Sequence, residues 1–145
     1  MLKTILIIIV QNTIKKMEGY KKMITSKQRS FIMSKIKCKN TKPEIFVEKF
    51  LKLKKVKFTK QIKLPGKPDF FLKSINRAIF VNGCFWHMHK CNKFKMPKTN
   101  VVFWRNKLNK NRKRDKLNCS RLRNLGIKVL NVWECNLERV RLYAK

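Results

Sequence analysis

Residues 69–91 read DFFLKSINRAIFVNGCFWHMHKC, and this stretch decides the fold. Asp69-Phe70-Phe71-Leu72 opens one strand. Arg77-Ala78-Ile79-Phe80-Val81 forms another, and its nearly unbroken apolar run is that of a strand covered on both faces. Asn82-Gly83 turns the chain out of it. The turn delivers Cys84-Phe85-Trp86-His87-Met88-His89-Lys90-Cys91, in which two cysteines bracket the only two histidines of the chain. Cysteine and histidine at this spacing read as a metal site, and zinc takes four nitrogen or sulfur ligands in a tetrahedron. The loop is too tight for all four of these side chains to reach one ion. A ligand from elsewhere is expected, and Cys135, just past the last strand, is well placed. The chain has five cysteines. An odd number excludes a complete disulfide framework, and the compartment reads as reducing.

On the N-terminal side, LPGKP (64–68) is a turn, and KVKFTKQI (55–62) alternates as a further strand would. Thr41-Lys42-Pro43-Glu44 is a capping box with proline in the first turn, so a helix is predicted over 42–54. Residues 26–37, SKQRSFIMSKIK, read as a short basic amphipathic helix. Residues 1–23 are set apart as an extension of unknown role. Their apolar run at 5–10 is too short to span a bilayer, and no small-residue cleavage site follows it. On the C-terminal side, residues 100–125 are helical in pattern and stop at Gly126, a natural residue to end a helix. IKVLNVW (127–133) is the last strand. This order makes residues 24–145 one α/β domain of two or three layers around a small mixed sheet flanked by helices.

A chain of 145 residues with 43% apolar content can fill the core of one domain. Its net charge is +31, from 38 basic and 7 acidic residues. Lysine outnumbers arginine 29 to 9, as an A/T-rich coding bias would produce. The same bias would raise aspartate and glutamate, which are scarce, so it does not explain the charge. The basic residues must face an external polyanion, nucleic acid first and an acidic membrane second.

Any hard cation needs oxygen ligands, and the acids are few: Glu18, Glu44, Glu48, Asp69, Asp115, Glu134 and Glu138. Asp69, at a strand start beside apolar residues, must be partly buried. Glu44 belongs to the capping box and can also serve a site. On the long helix, Trp104, Leu108, Asp115, Cys119 and Leu122 share one face. Asp115, the sole acid among nine bases, therefore faces inward, where it can orient a histidine. Phe85, Trp86 and Trp104 sit among basic residues, a setting in which aromatics stack on bases or wedge between them. Phe103 is expected in the core.

LPGKPDFF, IFVNGCFWHMHKC, FKMPKT, FWRNKLNKNRKRD and VLNVWECNL, in this order and spacing, together with KCKNTKPE upstream, closely resemble the very short patch repair (Vsr) DNA mismatch endonucleases. The resemblance covers residues 26–137. It implies a restriction-endonuclease-like α/β domain with a structural zinc site. It also implies an enzyme that nicks one strand 5′ to the thymine of a T·G mismatch, as arises when 5-methylcytosine deaminates. Asp69 and the backbone carbonyl of Val81 would hold Mg²⁺, with Glu44 as an upstream acidic helper. His87 would activate water, oriented by Asp115. Cys84, His89, Cys91 and Cys135 would hold Zn²⁺. Phe85, Trp86 and Trp104 would insert beside the mismatch from the major groove and Met33 from the minor groove.

A characterised member of the family has Thr-His where this chain has Val81-Asn82, and Asn82 keeps a hydrogen-bond donor for a phosphate contact. The acid-x-Lys pair usual in restriction-type nucleases is absent. Of the two histidines, His89 makes the compact chelate with Cys91, while His87 follows the wedge residue Trp86. The expected partners are duplex DNA with a T·G mismatch, mismatch-repair proteins and a cytosine-5 DNA methyltransferase of the same genome. A monomer in the cytoplasm or nucleoid, with no membrane, is expected. Two other readings stand beside this one: a non-catalytic zinc-stabilised nucleic-acid binder, and a related nicking endonuclease with a different target site.

Overall fold

In a computed structural model of the chain, the residues described are 39–143 together with Thr25, Lys27 and Phe31. The extension at 1–23, Met33 and all of the 26–37 segment except Lys27 and Phe31 lie outside them. The compact unit that holds the sheet begins at Lys39.

Helix α1 (Lys42–Leu53) starts as its sequence dictates. Thr41 is its N-cap, the Glu44 amide donates to Thr41 Oγ1, and Pro43 lies in the first turn. The Thr41 hydroxyl donates to Glu44 Oε1 at 2.7 Å and the Asn40 amide to Glu44 Oε2 at 2.9 Å. The helix buries Glu44, Val47 and Leu51, one face at spacings of three and four. Beyond it, the strand expected over 55–62 is not formed. That segment makes a single bridge, Thr59 with Phe71. Lys55 and Gln61 adopt positive φ angles of 53° and 56°, which bend the chain at both ends of the run.

The sheet has three strands in the order β1 (Phe70–Leu72), β2 (Arg77–Asn82), β3 (Lys128–Trp133). β1 and β2 are antiparallel around Phe71↔Ala78, whereas β2 and β3 are parallel, from Arg77↔Lys128 to Asn82↔Trp133. The sheet is thus mixed. The parallel pair requires a crossover, which helix α2 (Val101–Asn124) supplies. Gly126, at φ 72°, ends α2 by letting the Ile127 amide reach the Leu122 carbonyl at 3.0 Å.

Both faces of the sheet are covered. Phe70, Leu72, Ile79, Leu130 and Val132 pack with Val47 and Leu51 of α1 and with Val140 of the closing 3₁₀ segment Leu137–Tyr143. On the other face Ala78, Phe71, Phe80 and Val129 pack with Leu122 of α2 and with Leu64. The layers are therefore helix, sheet, helix. Gly66, at φ 76°, lets the LPGKP turn lie against α2: a Cβ there would stand 2.9 Å from Asn118 Cβ.

Candidate active site and metal centre

The parallel register places Asn82 beside Trp133 at the ends of β2 and β3. Two residues further on each chain stand Cys84 and Cys135, so the topology itself brings these two thiols together. The loop from Cys84 then turns back. Met88 takes a φ of 50°, and the His89 amide donates to the Cys84 carbonyl at 3.0 Å. Ligand atoms of Cys84, His89, Cys91 and Cys135 consequently lie within 4.8 Å of one another. His89 Nδ1 is 3.7 Å from Cys84 Sγ and 3.3 Å from Cys135 Sγ. Bond lengths of ~2.3 Å to sulfur and ~2.0 Å to nitrogen give a tetrahedron with edges of roughly 3.5 Å. The donor set fits a zinc ion.

The thiols respond to this crowding. Burial pushes the Cys84 thiol up to about 12, and the facing Cys135 and Cys91 sulfurs push the same way. At Cys91 desolvation also raises the thiol, but the Lys93 amide and then His89 outweigh it and bring it down to about 7. Three thiolates at these distances need a cation, and binding one releases their protons. The His89 ring stacks on Trp133 with centroids 4.1 Å apart and 9° between planes.

His87, two residues away, is not in this cluster. Its Nδ1 meets Asp115 Oδ2 at 2.5 Å. Asp115 lies on the inward stripe of α2 with the buried Leu108 and Leu122, while all nine basic residues of the helix are exposed. A carboxylate on Nδ1 fixes the tautomer and leaves Nε2 for chemistry. One helical turn before Asp115, Asn111 Nδ2 donates to the Trp86 carbonyl at 3.2 Å, so α2 holds the loop at two successive residues.

Asp69 stands just before β1. Its Oδ2 accepts from the Val81 amide at 2.7 Å, one step past the last antiparallel pair, Phe70↔Ile79. Burial pushes its carboxyl up to about 6. The Val81 amide pulls it down, the Glu44 charge raises it, and the His87 charge lowers it. The charges of Glu44 and His87 thus both act on Asp69. The observed contact of Val81 with Asp69 is through its amide. Neither Asp69 nor Glu44 has an ion pair with a lysine or arginine among the described residues. In a chain of 38 basic residues, two neighbouring acids left without a cation suit a bound divalent ion.

The expected aromatic group is assembled. Phe85 is 5.1 Å from Trp86 and 5.4 Å from Trp104, and the two indoles are 6.1 Å apart, all three half-buried. Phe103, expected in the core, is instead 57% exposed and edge-on to Trp104 at 5.3 Å. The face of α2 that meets the sheet carries Leu108 and Leu122, and Phe103 projects away from it. Lys107 Nζ lies 5.7 to 5.9 Å from the rings of Phe103, Trp86 and Trp104. Met33 lies outside the described residues.

Beside His87 a cleft of about 720 Å³ opens between the sheet and α2, bounded by Asn82, Asp115 and Trp133 among others. Asn82 is engaged there with Asn131, Nδ2 to Oδ1 at 3.3 Å. Sequence reasoning missed Asn111, Asn131 and Trp133. For Asn111 a signal existed, since it lies four residues before Asp115 and three after Leu108 on the same stripe.

A small mixed sheet between helices, a carboxylate-ordered histidine near a half-buried aspartate and a strongly basic surface together define a metal-dependent DNA endonuclease. The chain belongs to the family described as DNA mismatch endonuclease Vsr, whose sequence profile matches residues 21–93. Its fold is accordingly the restriction-endonuclease-like α/β type. It is 44% identical over 117 residues to the Type II nicking enzyme V.NmeAIP of Neisseria meningitidis, covering 80% of this chain and 84% of that one. It is 51% identical over 74 residues to the DNA mismatch endonuclease Vsr of Escherichia coli, covering 51% and 47%. It is 36% identical over 115 residues to the Type II nicking enzyme V.XorIIP of Xanthomonas oryzae, covering 79% and 85%. No helix among the described residues is long and apolar enough to cross a membrane.

Proposed function

We propose that this endonuclease nicks one strand of duplex DNA 5′ to the thymine of a T·G mismatch, by Mg²⁺-dependent hydrolysis. The observation that carries the reading is His87 held by Asp115 at 2.5 Å, with its charge acting on Asp69, which like Glu44 has no salt bridge among the described residues. Hydrolysis of a phosphodiester needs a base near neutrality, an in-line water, and positive charge against the developing oxyanion. His87 Nε2 takes the proton from the water. Asp115 keeps Nδ1 protonated and stabilises the imidazolium that results. Asp69 and the carbonyl of Val81 would hold Mg²⁺, which supplies Lewis-acid stabilisation of the phosphate. Glu44, tied down by Thr41 and Asn40, adds negative charge to that site. Cys84, His89, Cys91 and Cys135 would hold Zn²⁺ in a structural role, because all four positions are filled by the chain. Phe85, Trp86 and Trp104 would wedge into the duplex at the weakened step, with Met33 on the opposite side. We assign residues 24–145 to this endonuclease domain. A cytosine-5 DNA methyltransferase would create the mismatch precursor.

Several relatives bear the name Type II nicking enzyme, which favours one second reading, a nick at a different target site. Duplexes with T·G, other mismatches or full pairing, each incubated with Mg²⁺ or with chelator, decide between them. A nick only 5′ to the mismatched thymine, absent with chelator and absent in Asp69→Asn, is expected. Nicking of paired duplex at equal rate would refute the mismatch reading. Nicking by Asp69→Asn would move the Mg²⁺ site elsewhere.

A further inference from the structure

The cleft beside His87 is walled on one side by a basic stripe. Arg112, Lys116 and Arg123 lie at positions i, i+4 and i+11 of α2, within ~40° of one another around the helix axis and ~16 Å from end to end. All three are exposed, all three line the cleft, and none forms an ion pair among the described residues. Asp115, the one acid of α2, is already held by His87. Like charges at i and i+4 repel, so the stripe is costly for the folded chain alone.

The opposite wall is the sheet, and there the chain departs from apolar packing. Asn82 and Asn131 present polar groups to the cleft and are linked Nδ2 to Oδ1 at 3.3 Å. That bond leaves the Asn131 amide as a donor, with the Asn82 oxygen beside it. Cations on one wall and an amide donor on the other match an anion that is also a hydrogen-bond acceptor. Neighbouring phosphates of one strand stand further apart than the 3.4 Å axial rise, so ~16 Å of stripe is long enough to reach two or three consecutive phosphates.

We propose that this cleft is a backbone-phosphate channel, in which Arg112, Lys116, Arg123 and the Asn131 amide hold two or three consecutive phosphates of one DNA strand next to the linkage presented to His87. This rests on the nicking reading above and adds to it the track along which the strand leaves the reacting centre. The aromatic cluster would distort the base step, while the channel sets the register of the backbone.

The test is a salt titration of binding to a fully paired duplex without Mg²⁺, so that neither cutting nor mismatch choice enters. Arg112, Lys116 and Arg123 are replaced together by alanine. A control replaces the exposed Lys54, Lys57 and Lys128, none of which lines the cleft. Three lost phosphate contacts lower the slope of log Kd against log salt by about 2.7. Between 50 and 200 mM salt, the triple variant should therefore lose about 40-fold less affinity than the parent chain, and the control should follow the parent. A second measurement scans single neutral methylphosphonate linkages along a T·G duplex. Two or three consecutive linkages should weaken the parent and leave the triple variant unaffected. Equal slope changes in cleft and control variants, or no linkage that distinguishes parent from variant, would overturn the proposal. Failure of the mismatch reading alone would instead show as altered nicking products with these binding differences intact.

Discussion

His87 and Asp115 are 28 residues apart in the chain and in contact in the fold. Asp115 was legible because it is the single acid on a helix of bases and sits on the inward stripe. The partner of Asn111 is a main-chain carbonyl, and no side-chain pattern announces such a contact. Trp133 was equally silent, since an aromatic at a strand end reads as packing until its neighbours are known. His87→Ala should keep the zinc and the fold and lower nicking by roughly a hundredfold or more, the usual scale for a lost general base. Asp115→Asn should give a milder loss, because it disturbs only the tautomer and basicity of the ring. His89→Ala should lose zinc and melt at lower temperature. Metal content, melting curves and single-turnover nicking on the three variants check this; zinc loss in His87→Ala with zinc kept in His89→Ala would reverse the assignment.

At the level of elements, the signals that translated well are local. The Thr41–Glu44 box, the Gly126 stop and the apolar run of β2 are each sufficient within a few residues. Residues 55–62 alternate well enough for a strand, yet β1 offers three residues to pair with, and left-handed turns at Lys55 and Gln61 isolate the segment. Alternation reports which side chains share a face, whereas a strand also needs a partner of matching length. The segment is anchored instead by charge: Lys60 Nζ reaches Glu48 Oε2 of α1 at 2.8 Å, and Lys52 takes Oε1 at 2.8 Å. These bonds, Lys52 first, hold the Glu48 carboxyl down at about 2 against an ordinary 4.5. A depressed acid stabilises the fold fully above its unfolded value and loses that contribution as pH falls toward the folded one. Glu48→Gln should therefore cost up to about 1 kcal/mol at pH 7, a surface-pair value. The difference from the parent chain should shrink between pH 4.5 and about 2, read by urea unfolding at each pH. A gap that persists at pH 2 would mean packing, not charge, is what Glu48 supplies.

For the molecule as a whole, the sheet is small and the Cys/His cluster brings together two segments that follow its parallel strands. Stripping the proposed zinc with a chelator should lower the melting temperature and erode cooperativity, because binding free energy at a structural site is folding free energy. Cys135→Ser should behave like the chelated chain, and Cys119→Ser, whose thiol is outside the cluster, should not. Melting curves with and without chelator test both; an unchanged melt after verified zinc loss would show that the sheet and its helices stand by themselves. The domain class was legible in the sequence, and so was the gathering of Cys84, His89, Cys91 and Cys135, because few residue types can ligate a soft metal. The position of Phe103 was not read correctly: its apolar ring suggested the core, although it lies about 140° around α2 from Leu108 and so off the inward stripe.

The indole of Trp133 lies flat on one imidazole and 6.3 Å from the other, while the remaining two tryptophans belong to the aromatic cluster. The protein thus carries a built-in optical probe between its two chemical centres. With Trp86 and Trp104 both changed to phenylalanine, the tryptophan emission would come from a single indole, and a protonated or metal-bound imidazole alters its quenching. Adding zinc to the stripped chain should change that emission in proportion to occupancy, and a silent signal would mean that the stack on His89 does not survive in solution.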